Sequence, residues 1–372
     1  MLPAPATIGM PIAEVDTPAL LLDLDGFEHN LDTLARTLQG RDVKVRPHAK
    51  SHKCPAIARI QIERGAVGVC CQKVSEAEAL VDGGVGNVMV SNEVVGASKL
   101  ARLARLARRA NIRVLADHPD NVDALQKAAE EAQVTLEVLV EVDVGAGRCG
   151  AQPGEPAAKL AAHIAGSPNL AFAGIHAYQG GAQHMRTPEE RETAIRKALA
   201  MVEATVAALD RFGLKAETIT GAGTGTYLLE AASGIYNEIQ PGSYVFMDAD
   251  YGRNLEADGK PVHTFRHSLF ILATVMSRPS PGKAVVDVGL KAHSVDSGMP
   301  LVADVPGAKY LRASDEHGLV ELPEGADVPL GTKIQLIPGH CDPTVNLYDW
   351  LVCHRNGVVE DIWPIAGRGA FY

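Results

Sequence analysis

The sequence predicts an α/β protein, a (β/α)8 barrel of the TIM type with a C-terminal β-domain. Two observations predict it. Short β-branched runs alternate with Ala/Leu-rich helical patterns, eight strand candidates in all, over the first two-thirds of the 372-residue chain. From about Phe265 the helical patterns thin out, and strands follow one another across turn signals. Alternating strand and helix periods mean a parallel sheet, and eight units are the number that closes a barrel. A doubly wound open sheet is the alternative.

In chain order, "TPALLLDLD" reads as a strand that joins the β-domain and precedes a helix, "DGFEHNLDTLARTLQG". The barrel strands are "VKVRPHA", "AVGVCCQ", "NVMVSN", "IRVLADH", "LEVLVEVDVG", "AFAGIHAY", "AETITGAG" and "EIQPGSYVF". Between them lie the helices "SEAEALVDGG", "GASKLARLARLARRA", "NVDALQKAAEEA", "EPAAKLAAHIAG" and "TPEERETAIRKALAMVEATVAALDRFG". Ser75 and Thr187 stand where N-caps belong, and Gly213 where a C′ glycine belongs. The β-domain strands are "HSLFILATVMS", "GKAVVDVGL", "TKIQLIPGH", "LYDWLVCHRNG" and "VVEDIWPI". Residues 25–260 therefore form the barrel, and residues 1–24 with 261–372 form the β-domain.

Composition excludes several classes. Basic side chains number 35 against 45 acidic ones, and no Lys/Arg-rich block appears, so nucleic acid is not an expected partner. No apolar stretch approaches membrane-spanning length. The N-terminal region has acids beside its short apolar run and no basic segment, which argues against a signal peptide. The six cysteines contain no CxxC pair and read as reduced thiols. A soluble cytoplasmic protein is the expectation.

The chemistry begins in "VKVRPHAKSHKCPAIARI". In a barrel, the C-terminal ends of strands face the active site. Lys50 sits at such an end and can form an imine with a carbonyl. Burial and the nearby Arg46 cation would lower its pKa to give a free amine. A solvated loop lysine fits the same position. Arg148 follows a glycine-rich turn in "EVDVGAGRCG". In "TITGAGTGTY", small residues let backbone N–H groups approach a phosphate, and Thr224 or Thr226 adds a hydroxyl. This stretch lacks the Walker lysine and the dinucleotide spacing. "QPGSY" ends the eighth strand with another glycine turn, in the late part of the barrel where phosphate sites commonly lie. An early lysine and late phosphate turns describe a pyridoxal-phosphate barrel. In "GHCDPTVNLYD", read as extended, His340 and Asp342 face the same way and Cys341 the other. An imidazole and a carboxylate suit Mn²⁺, Mg²⁺, Co²⁺ or Zn²⁺; an ordinary turn also contains H-x-D.

Together these pieces resemble the alanine-racemase-type (fold type III) pyridoxal-phosphate enzymes. Within them the chain resembles the D-threonine aldolase group, which also contains D-3-hydroxyaspartate aldolase and D-serine dehydratase. The resemblance runs through "RPHAKSHK", "GVCCQKVSEAEAL", "EVDVGAGRCG", "AYQGGAQH", "TGAGTGT", "QPGSYVFMDADYG", "SVDSG", "SDEHG" and "PGHCDPTVNLYDW". It implies that Lys50, rather than Lys53, holds the cofactor. It also implies that Arg148 approaches the cofactor's phenolic oxygen and that Tyr178 stacks on its ring. Gly223, Thr224, Gly242 and Ser243 would cradle the phosphate. Gln240 stands where racemases have an arginine at the pyridine nitrogen, and Gln72 is a further cofactor contact. His340 and Asp342 become ligands of a divalent metal, Mn²⁺ first among the four. The dehydratase branch has H-x-C at this place, so Asp342 favours the aldolase branch.

The implied activity is a lyase reaction, metal-dependent retro-aldol cleavage of D-threonine and related D-3-hydroxy-amino acids to glycine and an aldehyde. His184 and His52 are the proposed bases, with His317 a further possibility. The alternatives are D-3-hydroxyaspartate aldolase, giving glycine and glyoxylate, and a D-serine or D-threo-3-hydroxyaspartate dehydratase. A non-catalytic pyridoxal-phosphate carrier and a cofactor-free TIM-barrel aldolase using Lys50 are rivals of other classes. Arg46, Arg253 and Lys291 are the cations that could receive a second substrate carboxylate. The fold group implies a head-to-tail homodimer.

Overall fold

The computed structural model describes residues 3–372; the first two residues of the predicted 1–24 arm lie outside the described residues. The chain divides into two compact units. The barrel unit comprises Thr37–Lys50, Pro55–Gly242 and Ala370–Tyr372; the β unit comprises the chain through Arg36, Ser51–Cys54 and Ser243–Gly369. The chain opens with β1 (Ala19–Asp23) and α1 (Leu24–Leu38), the latter grouping with the β unit through Arg36.

The barrel strands are β2 (Lys44–Val45), β3 (Val69–Cys71), β4 (Asn87–Glu93), β5 (Asn111–Ala116), β6 (Leu136–Glu141), β7 (Leu170–Ala177), β8 (Thr218–Gly221) and β9 (Glu238–Ile239). Each predicted strand run overlaps one of them, and β4, β5 and β7 extend one residue past theirs. Between them run α2 (Pro55–Glu63), α3 (Val74–Asp82), α4 (Ala97–Leu106), α5 (Pro119–Ala132), α6 (Glu155–Ala165), α7 (Pro188–Arg211) and α8 (Tyr227–Ala231). The strands pair in the order β2-β9-β8-β7-β6-β5-β4-β3, all parallel. The seam between β2 and β3 is bridged as well: Val67 N–H donates to Val45 O at 2.9 Å and Cys70 N–H to Pro47 O at 2.8 Å. β2 is short because Pro47 has no N–H to give to a ladder, and Pro241 curtails β9 in the same way.

Side chains alternate across the barrel wall with period two. Val69, Cys71, Val88, Val90, Val114, Ala116, Val138 and Val140 pack with the helices. Cys70, Met89, Leu115, Leu139 and Ala173 form a separate cluster on the other face, inside the barrel. Thr187 caps α7 as expected, accepting from Glu190 N–H, and Gly213 takes φ +68° just past its end. Ser75 does not cap α3. Lys73 holds the N-cap position, because the Glu76 carboxylate turns back to accept from the Lys73 and Gln72 N–H groups.

The β unit holds β10 (Leu269–Ser280), β11 (Lys283–Val286), β12 (Leu301–Val302), β13 (Lys309–Ala313), β14 (Gly318–Glu321), β15 (Lys333–Ile337), α9 (Cys341–Val345), β16 (Trp350–Arg355) and β17 (Val358–Pro364). Its sheet runs β13-β14-β11-β10-β1-β16-β17, with β15 also pairing β10 and β12. The N-terminal strand does join this sheet: β1 lies antiparallel to β10 and parallel to β16. The short strands β12, β13 and β14 were not anticipated. Among the described residues no helix is long and apolar enough to cross a membrane.

Candidate active site

In the barrel unit, the predicted cofactor residues follow the C-terminal ends of different parallel strands. Lys50 lies in a 3-10 turn (Ala49–Ser51) after β2, and Gln72 follows β3. Arg148 lies in the loop after β6, and Tyr178 follows β7. Gly223 and Thr224 lie in the turn after β8, and Gln240 and Gly242 follow β9. Parallel strands put all of these ends at one mouth of the barrel. Lys50 is half-buried, while Arg148 is exposed with its guanidinium 5.7 Å from the Tyr178 ring centroid, a cation–π contact. Gln72 Nε2 lies 2.8 Å from His48 Nε2, and Ser91 Oγ sits 3.0 Å from the same nitrogen.

Arg46 does not act beside Lys50 as expected. Its Nε donates to Glu238 Oε1 at 2.9 Å and its Nη1 to Asn87 Oδ1 at 2.8 Å, with both members of the ion pair buried. Glu238 and Asn87 are the first residues of β9 and β4. The guanidinium therefore reaches toward the opposite end of the barrel, and its charge is matched there.

Gln240 is buried inside the barrel with its amide engaged. Its Oε1 lies 3.1 Å from His176 Nε2, and its Nε2 donates to Thr220 Oγ1 at 2.8 Å and to Met89 Sδ at 3.5 Å. His176 Nδ1 in turn bonds the Glu141 carboxylate. Burial opposes a charge on His176, but the Glu141 carboxylate outweighs it and raises the imidazole's pKa. Sequence reading missed this pair. The signal was present as inward-facing polar residues, two positions beyond Leu139 on β6 and one before Ala177 on β7.

Gly223 and Thr224 lie in a turn with the chemistry of an anion cradle. Ala222 adopts φ +68°, and a Cβ on Gly223 would come within 2.5 Å of Gln183 Oε1. Thr224 contributes a buried hydroxyl. The donor set fits a phosphate, and Lys50 at the same mouth fits an aldehyde, so the barrel suits pyridoxal phosphate. His184, one of the proposed bases, is exposed at the end of the turn Gly180–His184.

The remaining predicted residues belong to the β unit. His52 is buried and its Nδ1 accepts from Cys54 N–H at 3.1 Å. Ser243 is buried and begins a 3-10 turn (Ser243–Val245). His317 is exposed. The H-x-D segment is not extended throughout. His340 is extended at φ −143°, but Asp342 lies in the first turn of α9, where Pro343 has the φ a helix start requires. His340 Nδ1 lies 2.8 Å from Asp296 Oδ2. A carboxylate on one ring nitrogen orients the imidazole and leaves the other available to a metal. Asp248, buried and with its pKa raised by burial, accepts from Cys341 N–H at 2.9 Å.

Another donor group was not foreseen. Glu93, Asp117 and Cys149 place a ligand atom each within 4.8 Å of one another in the barrel unit, Glu93 as the last residue of β4 and the others after β5 and β6. Burial, followed by Glu141, raises the Glu93 pKa, and burial and Glu93 push the Cys149 thiol up to about 11.

Known proteins place this arrangement in a family. The model for the alanine racemase N-terminal domain matches residues 22–250, and that for a serine dehydratase domain matches residues 268–354. A D-threonine aldolase from Arthrobacter sp is 48% identical over 369 residues, covering 99% of this chain and 97% of that protein. A 3-hydroxy-D-aspartate aldolase from Paracoccus denitrificans (strain Pd 1222) is 47% identical over 372 residues, covering 99% and 96%. The crystal structure of D-threonine aldolase from Filomicrobium marinum superposes with a TM-score of 0.96 at 50% identity, covering 99% of this chain and all of that one. The chain belongs to the D-threonine aldolase and 3-hydroxy-D-aspartate aldolase group of the alanine-racemase-like proteins.

Proposed function

We propose that this protein is a pyridoxal-phosphate- and divalent-metal-dependent D-threonine aldolase that cleaves D-3-hydroxy-amino acids to glycine and an aldehyde. The observation that carries this reading is the gathering of Lys50, Arg148, Tyr178, Gly223, Thr224 and Gln240 at the C-terminal ends of the barrel strands. The 48% identity to a D-threonine aldolase supports it.

Lys50 Nζ would hold the cofactor, and the turn at Gly223 and Thr224, with Gly242 and Ser243, its phosphate. Arg148 and Tyr178 would meet the ring and its phenolic oxygen, and Gln72 would lie alongside. Gln240 would reach the pyridine nitrogen only by giving up Thr220 or Met89, since its two amide hydrogens are directed there. When bound, pyridoxal phosphate accepts the electron pair released at Cα as the Cα–Cβ bond breaks. A divalent ion on His340 and Asp342, Mn²⁺ in this reading, would lower the pKa of the substrate's β-hydroxyl. His184 would remove that proton, since the one acceptor nitrogen of buried His52 is taken by Cys54 N–H, and Cα would regain one to give glycine. Burial raises the pKa of the Cys149 and Cys341 thiols.

D-threonine is favoured over 3-hydroxy-D-aspartate by the state of the three cations that could receive a second carboxylate. Arg46 is paired with Glu238, Lys291 with Glu316, and Arg253 with Asp250 and the Ser297 carbonyl. We assign the protein to the cytoplasm and to a homodimer on the same reading. The test is incubation of cofactor-loaded protein with D-threonine, with Mn²⁺ or with excess chelator, and assay of glycine and acetaldehyde. Metal-dependent glycine from the D-isomer and none from L-threonine is the expected result. Ammonia and a keto acid in place of glycine would move the protein to the dehydratase branch.

A further inference from the structure

The turn between β8 and α8 is backed by a buried polar chain. Gln183 Oε1 accepts from Gly225 N–H at 2.9 Å, and Gln183 Nε2 donates to Thr226 Oγ1 at 2.8 Å. Thr226 Oγ1 donates onward to Glu230 Oε1 at 2.8 Å. A hydroxyl has one hydrogen, so Thr226 accepting from Gln183 must direct its proton to Glu230. Gln183, Thr226 and Glu230 are all at most 2% exposed. Glu230 Oε2 is also buried and finds no hydrogen-bond partner among the described residues. Gln183 packs so closely that a Cβ on Gly223 would meet its Oε1 at 2.5 Å, and one on Gly225 its carbonyl oxygen at 2.7 Å. The shape of the turn is therefore set from behind, and Glu230 anchors the end of that support.

We propose that Glu230 is a positioning residue of the anion-binding turn, acting through Thr226 and Gln183, and that the turn accepts the cofactor's phosphate only while Glu230 is uncharged. This rests on the pyridoxal-phosphate reading of the barrel. A carboxylate here would be a second anion behind a bound phosphate, in a region that burial keeps at low dielectric.

Among the described residues, no cation figures among the influences on Glu230. α8 packs against α7 and β9. Glu238 of β9 is committed to Arg46, and Arg191 of α7 donates to the Met185 and Arg186 carbonyls. Tyr236, whose hydroxyl donates to Ala177 O, is the titratable neighbour that Glu230's charge acts on, and burial holds it protonated throughout the useful pH range. Burial pushes the Glu230 carboxyl up to about 8, against the opposing bond from Thr226. The sign follows from linkage. A bound phosphate raises the proton affinity of Glu230 further. Affinity for the phosphate is thus level below about pH 8 and falls above it, by up to about tenfold per pH unit.

The experiment measures the Kd of the cofactor-free full-length protein for pyridoxal phosphate, and for pyridoxal as the phosphate-free control, between pH 6.5 and pH 9.5. The ratio of the two cancels the titration of Lys50. The inference expects the phosphate advantage to shrink above pH 8 in the wild type and to hold level in Glu230→Gln. Thr226→Val, which cuts the chain while keeping Glu230, should weaken pyridoxal phosphate and leave pyridoxal unchanged. A ratio level across the range in the wild type, or equally sloped in wild type and Glu230→Gln, overturns the inference and leaves the cofactor reading standing. If Glu230→Gln does not fold, the wild-type ratio and Thr226→Val decide. Binding of neither ligand at pH 7 overturns both.

Discussion

At the scale of residues, buried Glu230 links stability to pH. An unfolded glutamate titrates near pH 4.3, while burial holds Glu230 protonated in the native state up to about 8. Below the lower value both states are neutral. As pH rises between the two, the unfolded chain ionises first and the native state loses stability; above about 8 the loss stops growing. Each tenfold difference in proton affinity between the two states is worth about 1.4 kcal/mol. Glu230→Gln has no such proton to lose. Thermal denaturation should show it gaining stability over wild type steadily from pH 5.5 to pH 8, by at least a few °C, and a constant difference across that window would refute the account. Lys50→Ala should abolish the bound cofactor's absorption band and reduce glycine production to background. Retention of the band would transfer the role to Lys53.

At the scale of elements, the barrel rests on two close fits. β7 passes β8 at Gly174, which adopts φ +139° and where a Cβ would stand 1.9 Å from Thr218 O. The obstruction is backbone, so neither strand can yield locally. Gly174→Ala should lower stability by more than about 3 kcal/mol, measured by denaturant midpoint; a change under about 1 kcal/mol would show that the ladder can shift. At the β2–β9 seam, Arg46 and Glu238 form an ion pair buried on both sides. Removing one partner strands the other charge, at a cost of about 3–5 kcal/mol. Glu238→Ala should therefore destabilise far more than Lys291→Ala, whose pair with Glu316 is exposed.

For the whole molecule, the proposed function gives the barrel and β units different chemistry. The proposed cofactor residues are mainly in the first, and His340 and Asp342 are in the second. Chelator treatment should thus remove aldolase activity while leaving the cofactor's absorption band in place, and Mn²⁺ should restore the rate. Asp342→Ala should behave like the chelated enzyme and fail to recover. Loss of the band on chelation, or full activity of Asp342→Ala after chelation, would show the metal role to be misassigned.

Much of this was legible in the sequence because it is local. Strand and helix periods, the Thr187 cap, the Gly213 stop and the place of Lys50 after the first barrel strand follow from neighbours a few residues apart. β12, β13 and β14 escaped: Leu301–Val302 is too short to show a period, and Lys309–Ala313 and Gly318–Glu321 mix charged residues and glycine into theirs. The rest depended on partners far along the chain. Arg46 meets Glu238 across 192 residues, and Gln240 meets His176 across 64. Glu93, Asp117 and Cys149 converge because successive parallel strands bring their ends together. The sequence by itself determined which residues stand at the mouth of the barrel. Only the tertiary structure decided which of their charges are matched, because burial and pairing depend on what the fold packs against each group.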